Sequence, residues 1–278
     1  MLPGSDPRLQ TALTLNTTSS GVSTTPDGRL FIIWNHIDGT TGPYIGELVN
    51  EKFVPYPDEE WNSWNASDPS QDPNLHFLNP NAQRIGPDGL LWVIDNGGVA
   101  NSKLVSFNLT TNSVARIYPL NSTTLVETLW DDVRFNANMA YLTDAGAAAI
   151  GVLNLKTGEQ RRVLEYSRFT TSWFPASAEG VIRQFSNGSY LYFHVDQLEV
   201  SPDGVWLYFH PLSGGFWRIP TSVLDQALYN DTVARSLGDY VEPFAPVATT
   251  GGTAIDADGN IYSGNTDLNA KHFNHLPT

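Results

Sequence analysis

The sequence predicts an all-β chain that folds as a β-propeller. A tight turn followed by a short apolar run recurs along it, as in Pro87-Asp88-Gly89 ahead of residues 90–95. Proline fixes φ and glycine supplies a positive φ, and the run is too short for an ordinary helix. The turn returns in recognisable form around Asp27, Asn138, Asp203 and Asp258. Gaps of roughly 50 to 65 residues between these copies are typical of propeller blades.

The repeat assigns an order to the segments. Residues 1–20 are polar and are expected to wrap the edge of the domain, and the first blade follows in 21–54. Residues 55–74 are rich in Pro and Trp, which indicates either a packed Ω-loop or a lid. The remaining blades are predicted at 75–120, around 139–164, around 198–224, and from about 249 onward. No further strand pair is predicted after Gly264.

Composition limits the function classes. The chain has 278 residues, 41% of them hydrophobic and 12% aromatic, which is ample for one core, and the repeat favours a single domain over 1–278. No apolar run is long enough for a membrane span, and no signal peptide is expected at the start of this sequence. The formal net charge of −14 argues against a nucleic-acid partner, because phosphate binding needs clustered basic residues.

Residue types also bear on the compartment. The absence of cysteine excludes disulfides, thiolate chemistry and cysteine-based zinc sites. Asn-x-Ser/Thr triplets are frequent and lie mostly in polar, turn-like sequence, where a glycan would be tolerated. They begin at Asn16, Asn65, Asn108, Asn121, Asn187 and Asn230. We therefore expect a secreted glycoprotein.

Several phrases resemble the major royal jelly/yellow protein family. Residues 91–97 (LWVIDNG), 141–158 (YLTDAG followed by GVLNLKTG) and 198–221 (LEVSPDG, LYFHPLS, WRIPT) are similar to that family's motifs in order and spacing. The resemblance implies a six-bladed propeller, secretion, and small-molecule binding at the mouth of the central channel. Some relatives bind biogenic amines, and some are linked to rearrangement of melanin precursors. Since no strand pair is predicted after Gly264, the last blade is expected to be incomplete or irregular.

The channel is where a site is expected. The innermost strand of each blade should precede its turn, and these segments are polar for central strands: 79–83, 130–133, 194–198 and 250–253. Buried polar groups need partners or water, so convergence of such side chains indicates a wet cavity. The ligand-binding candidates are Asn81, Gln83, Asp131, Gln197, Thr253, His36, His210 and Trp130.

Three uses of this cavity stay open. It is a water-filled channel, a site where carboxylates hold a cationic or hydroxylated aromatic molecule, or a hard-metal site for an ion such as calcium. The last arrangement resembles that of lactonase propellers. We expect no cofactor, and the chain is expected to be a monomer or a weak homo-oligomer.

The catalytic candidates are His194, Asp132 and Asp196. In an extended strand His194 and Asp196 share a face, and a histidine beside a carboxylate can move protons near neutral pH. The reaction predicted is isomerisation, dehydration or cyclisation, with His194 as acid/base and Asp132 or Asp196 orienting the substrate. The alternatives are a non-catalytic carrier or storage glycoprotein, a metal-dependent lactonase-like hydrolase, and a protein-interaction propeller.

Overall fold

Five antiparallel sheets follow one another along the chain in the computed structural model, which describes residues 11–36, 39–268 and 270–274, with side chains to 268. Blade 1 contains β1 (Gly21–Thr24), β2 (Leu30–Ile33), β3 (Ile45–Val49) and β4 (Lys52–Pro55). Blade 2 contains β5 (Pro80–Ile85), β6 (Leu91–Asp95), β7 (Lys103–Asn108) and β8 (Ser113–Pro119). Blade 3 contains β9 (Trp130–Asn136), β10 (Met139–Asp144), β11 (Ala149–Asn154) and β12 (Gln160–Val163).

The second half of the chain continues the pattern. A small hairpin, β13 (Ser177–Ala178) and β14 (Val181–Ile182), precedes blade 4. Blade 4 contains β15 (Val195–Val200), β16 (Trp206–Pro211), β17 (Phe216–Pro220) and β18 (Glu242–Ala245). Blade 5 contains β19 (Thr253–Ile255), β20 (Ile261–Asn265) and β21 (Ala270–Asn274). The helices are α1 (Gly98–Asn101), α2 (Thr221–Tyr229) and α3 (Asp231–Ser236), with 3-10 turns at Pro73–Leu75 and Leu237–Tyr240.

The first strand of each blade lies innermost. Strand β1 contacts β5, β5 contacts β9, β9 contacts β15, and β15 contacts β19, so these strands stand side by side in chain order. The recurring turns at Asp27, Asp88, Asn138, Asp203 and Asp258 each join that first strand to the second. The predicted all-β propeller is therefore confirmed. Six blades and a single domain over 1–278 stay predictions.

Apolar clusters fill the spaces between neighbouring blades. Strand β6 shows how: Leu91 and Val93 join a cluster with Phe31 of blade 1, whereas Trp92 and Ile94 join a cluster with residues of β9 and β10. Successive side chains of a strand point to opposite faces, so each central strand serves two cores. No blade covers its own faces, and the stack of blades is the stable unit.

Buried aspartates tie the second strand of blades 2 and 3 to the entry of the inner strand. Asp95 accepts from two main-chain N–H groups just ahead of β5 and pairs with the Nζ of Lys103 at 2.6 Å. Asp144 accepts from Leu129 N–H just ahead of β9 and pairs with Nη1 of Arg162 at 2.7 Å. The repeated aspartate at the end of the strand phrase is therefore structural.

The structure decides two points on which the sequence was open or wrong. Trp61, in the Pro/Trp-rich loop, is buried against Phe77 and Phe107, with ring centroids 5.0 and 5.1 Å away, so that loop is packed. The sequence predicted no further strand pair after Gly264, whereas β21 follows that residue and pairs with β20 along its length. Main-chain ladder bonds form this strand, and the apolar pattern on which the sequence prediction depended carries no such signal.

Two expectations need a short note. Part of the segment expected to wrap the domain edge, residues 1–10, lies outside the described residues. Within the described ranges, none of the helices is long and apolar enough to cross a membrane.

Asp144→Asn is expected to destabilise the protein by about 3 kcal/mol, because it removes the buried carboxylate that pairs with the Arg162 guanidinium and leaves that buried cation with the half-exposed Glu165 at 3.0 Å. Urea unfolding followed by tryptophan fluorescence measures the change. The matched control is Asp258→Asn at an exposed turn position, expected within about 0.5 kcal/mol of wild type. Equal unfolding midpoints for the two variants would show that Asp144 is not a structural anchor.

Candidate functional site

A cavity of about 590 Å³ opens at one end of the propeller axis. All five inner strands contribute to its wall, and the segment around the β13–β14 hairpin covers one side through Ala176, Ser177, Arg183 and Leu191. Blades 1 and 5 present small residues there, among them Gly21, Gly251 and Gly252. Apart from Arg183, the charged side chains of the wall come from blades 2, 3 and 4.

One extra residue in each of these three inner strands aims a polar side chain at the cavity. The register of β5 shifts around Asn81, that of β15 shifts around Asp196, and in β9 Asp131 and Asp132 together stand opposite Thr143. A β-bulge of this kind bends the strand and redirects a side chain. Asn81, Asp131 and Asp196 form what we call the acid layer.

The two aspartates of the acid layer share a hydrogen bond. Burial raises the pKa of Asp131 well above its ordinary value, and the charge of Asp196 raises it further, while Asn81 works in the opposite direction. Burial also raises the pKa of Asp196. Two carboxylates in contact cannot both ionise cheaply, so the pair as a whole favours a form that holds one proton.

Neighbouring side chains fix the orientation of both carboxyl groups. Asn81 Nδ2 donates to Asp131 Oδ1 at 2.7 Å, and Gln197 Nε2 donates to Asp196 Oδ2 at 2.8 Å. Gln197 Oε1 accepts from His210 Nδ1 at 3.1 Å. Burial lowers the pKa of His210 to about 4, so its ring is neutral and its Nδ1 carries the proton.

A second group of charges, which we call the ion-pair layer, lies three residues further along the same strands. Arg134 holds Glu199 through two hydrogen bonds, Nε to Oε2 and Nη2 to Oε1, each 2.8 Å long. Arg134 also contacts Asp132 Oδ1 at 2.6 Å, and Arg84 lies 3.8 Å from Glu199. Since Arg84 and Arg134 also line a second cavity of about 190 Å³, this layer divides the channel.

Several residues predicted for the site do meet at the cavity. They are Asn81, Gln83, Asp131, Asp132, Asp196, Gln197 and Thr253. Their binding and catalytic roles stay predictions. Thr253 Oγ1 also donates to Glu199 Oε1 at 3.2 Å, which connects blade 5 to the ion-pair layer.

The histidines and Trp130 are placed elsewhere. His194 is half-buried, and its Nδ1 accepts from Ser172 N–H at 3.2 Å; burial lowers its pKa, an effect that Asp144 partly offsets. Trp130 is buried in the core between blades 2 and 3. His36 stacks on Tyr44 with ring centroids 4.3 Å apart.

His210 reaches the site only through Gln197. The structure therefore does not bring His194 together with Asp132 and Asp196 on the cavity wall.

Sequence reasoning missed the ion-pair layer. Arg84, Arg134 and Glu199 each follow an acid-layer residue by three positions. In a regular strand positions two apart share a face, so a spacing of three between polar residues in a predicted inner strand indicates a bulge. That spacing was the available signal.

Two other predictions concern metals and glycans. In the described ranges no group of three or more His, Asp or Glu side chains is arranged to hold a metal ion. Of the six asparagines that begin a glycosylation triplet, Asn108 is half-buried and the rest are exposed.

Fold and site together define a β-propeller with a polar, proton-sharing cavity on its axis. A family model described as "Major royal jelly protein" matches residues 83–271, well over half of the chain. The chain therefore belongs to the major royal jelly protein family. A search of curated proteins found no significant match.

Solved structures that resemble the chain include a β-propeller. Hydrazine synthase from Kuenenia stuttgartiensis matches with a TM-score of 0.59 and 14% identity, over 93% of this chain and 71% of that one. The WD40 β-propeller domain of Doa1 matches with a TM-score of 0.51 and 10% identity, over 96% and 67%. A putative 6-phosphogluconolactonase from Bacteroides fragilis matches with a TM-score of 0.50 and 13% identity, over 90% and 64%. At these identities the likeness concerns the fold alone.

Asp131→Asn is expected to remove the loss of folding stability that the raised pKa of Asp131 causes in wild type as pH rises. Because the folded pKa of Asp131 is raised, its favourable contribution is complete below the ordinary aspartate pKa and is lost as pH rises through the folded value. The stability of wild type relative to the Asn variant should therefore decline as pH rises from about 4. Thermal unfolding of both proteins across pH 4 to 9 measures the difference.

The control for this series is again Asp258→Asn, whose melting curve should run parallel to that of wild type. A wild-type advantage over Asp131→Asn that stays constant or grows with pH would contradict a raised pKa at Asp131.

Proposed function

We propose that the cavity binds a small polyhydroxylated or aromatic molecule and that the Asp131–Asp196 pair moves a proton on it. The supporting observation is the pair of adjoining carboxyl groups on the cavity wall, both with a raised pKa. In this proposal Asp131 holds the shared proton. One group is then a general acid and the other a general base at the same pH. Isomerisation, dehydration and cyclisation are the reaction classes that need no more than this.

The Asp131–Asp196 pair itself supplies and accepts all the protons that such a reaction moves. Asp196 takes a proton from a carbon of the substrate, and its carboxylate becomes neutral. In an isomerisation, Asp131 gives its proton to a carbonyl oxygen. In a dehydration, Asp131 gives its proton to the departing hydroxyl group, which leaves as water. The pair holds one proton before and after, so no external acid is required.

The supporting side chains suit this division of roles. Gln197 donates to Asp196 and so favours its ionised form, and neutral His210 fixes the direction of the Gln197 amide. We assign His210 to positioning, because it acts through Gln197. The acid–base role expected of His194 passes in this proposal to Asp131, since His194 is bonded to Ser172 away from the cavity wall.

A non-catalytic carrier is the second candidate. Asn81, Gln197 and Arg134 already supply hydrogen bonds to the three aspartates of the wall, an arrangement that also suits binding without turnover. Exposed glycosylation triplets and membership in the family support secretion under either function.

Deuterium incorporation tests the catalytic proposal. Wild-type protein is incubated in D₂O with D-glucose, D-glucuronate and an aminochrome prepared from dopamine, and NMR follows exchange or rearrangement of each probe. We expect turnover of at least one probe, and a fall of about 10²- to 10⁴-fold in Asp131→Asn and in Asp196→Asn. Asp258→Asn should match wild type.

The outcomes separate the two candidates. Probe binding by calorimetry without turnover in wild type would overturn the catalytic proposal and support the carrier. Turnover that survives both substitutions would show that the pair does not move the proton.

A further inference from the structure

Arg84 is a charged side chain of the channel whose hydrogen-bonding capacity is largely unused. It lies on β5, faces both cavities, and its side chain is 38% exposed. Among the described residues its one charged partner is Glu199, at 3.8 Å, which is beyond hydrogen-bond distance. Its five guanidinium N–H groups are therefore available to whatever occupies the channel.

Glu199 has little capacity left for Arg84. It is fully buried, and each of its oxygens already accepts a 2.8 Å bond from Arg134, while Oε1 also accepts from Thr253. The other nearby acid, Asp132, is in contact with Arg134 at 2.6 Å. Arg134 thus pairs closely with both Glu199 and Asp132, and among the described residues Arg84 has no carboxylate within hydrogen-bond distance.

The electrostatics agree with this geometry. Burial lowers the pKa of the Arg84 guanidinium, and the like charge of Arg134 lowers it further, despite Glu199 and Asp132. The wall of the larger cavity carries three arginines against three aspartates, and the carboxylate of Glu199 lies beside Arg84 and Arg134 but is bonded closely to Arg134 alone. An anionic group beside Arg84 would complete the pairing.

We propose that Arg84 receives the carboxylate of a polyhydroxylated acid, whose hydroxyl groups lie against the acid layer. Guanidinium and carboxylate match in a bidentate geometry. Arg84 follows Asn81 by three residues, which corresponds to roughly 10 Å of strand, so a pyranose ring with its carboxylate reaches both layers directly or through water. The inference rests on the proposed function only for the position of the hydroxyl groups.

Calorimetry with D-glucuronate and D-glucose tests the proposal. Glucuronate should bind wild type at least tenfold more tightly than glucose, since a charge-assisted pair contributes about that factor. Arg84→Met should abolish this preference, and Arg84→Lys should keep part of it, because the charge remains while the bidentate geometry is lost. The matched control is Arg235→Met at an exposed position on α3.

Asp131→Asn separates this inference from the proposed function. That variant should lose turnover but keep the preference for glucuronate. Wild type that binds the two sugars alike, or binds neither, overturns the Arg84 proposal, as does a preference that persists in Arg84→Met. If Arg84→Met fails to fold, wild type is titrated with D-glucuronate and D-glucose at rising NaCl concentrations. A preference for glucuronate that does not weaken with salt contradicts an ion pair at this partly exposed site.

Discussion

A single additional residue in each of three neighbouring inner strands determines what the channel contains. A regular strand presents every second side chain to one face. The bulges at Asn81, at Asp131 with Asp132, and at Asp196 interrupt that alternation, so side chains three positions apart face the axis. This break in the alternation of side chains produces the two layers of polar groups, the acid layer and the ion-pair layer.

Each layer solves a different problem of burying charge. Burial of two ionised carboxylates side by side is costly, and the pKa values of both Asp131 and Asp196 are raised accordingly. Glu199 is fully buried, and Arg134 meets its carboxyl group in a fork of two hydrogen bonds. In the proposed function the first layer exchanges protons with a ligand, whereas the ion pairs of the second layer close the floor of the cavity.

The sequence predicted the fold well because its signals are local and repeated. Pro-Asp-Gly turns ahead of short apolar runs specify blades, and the position of each run beside its turn identifies the inner strand. The same logic placed Asn81, Asp132, Asp196 and Gln197 on the channel. The sequence analysis could not predict which side chains of each inner strand face the axis, because that depends on a bulge formed in three dimensions.

The prediction for His194 shows the consequence. In an unbroken strand His194 and Asp196 would share a face, yet Asp196 is itself the extra residue of the register shift between Val195 and Gln197. His194 contacts Ser172, while the bulges of the three strands are followed by Arg84, Arg134 and Glu199 on the channel side. Polar residues in these inner strands lie three positions apart and not two. Recognition of that spacing would have predicted both the displacement of His194 and the inward position of Arg84, Arg134 and Glu199.

The shape of the cavity follows from the same asymmetry among blades. Blades 2 to 4 supply the charged wall, while glycines of blades 1 and 5 stand opposite and leave space for a ligand. Under the two proposals, a ligand in that space would meet the Asp131–Asp196 pair at one level and the Arg84 guanidinium at the next. The buried, neutral His210 fixes the Gln197 amide, and through it Asp196, so the base is oriented by the core and not by the ligand. That order of dependence, from core to amide to carboxylate, is what a preorganised acid–base site requires.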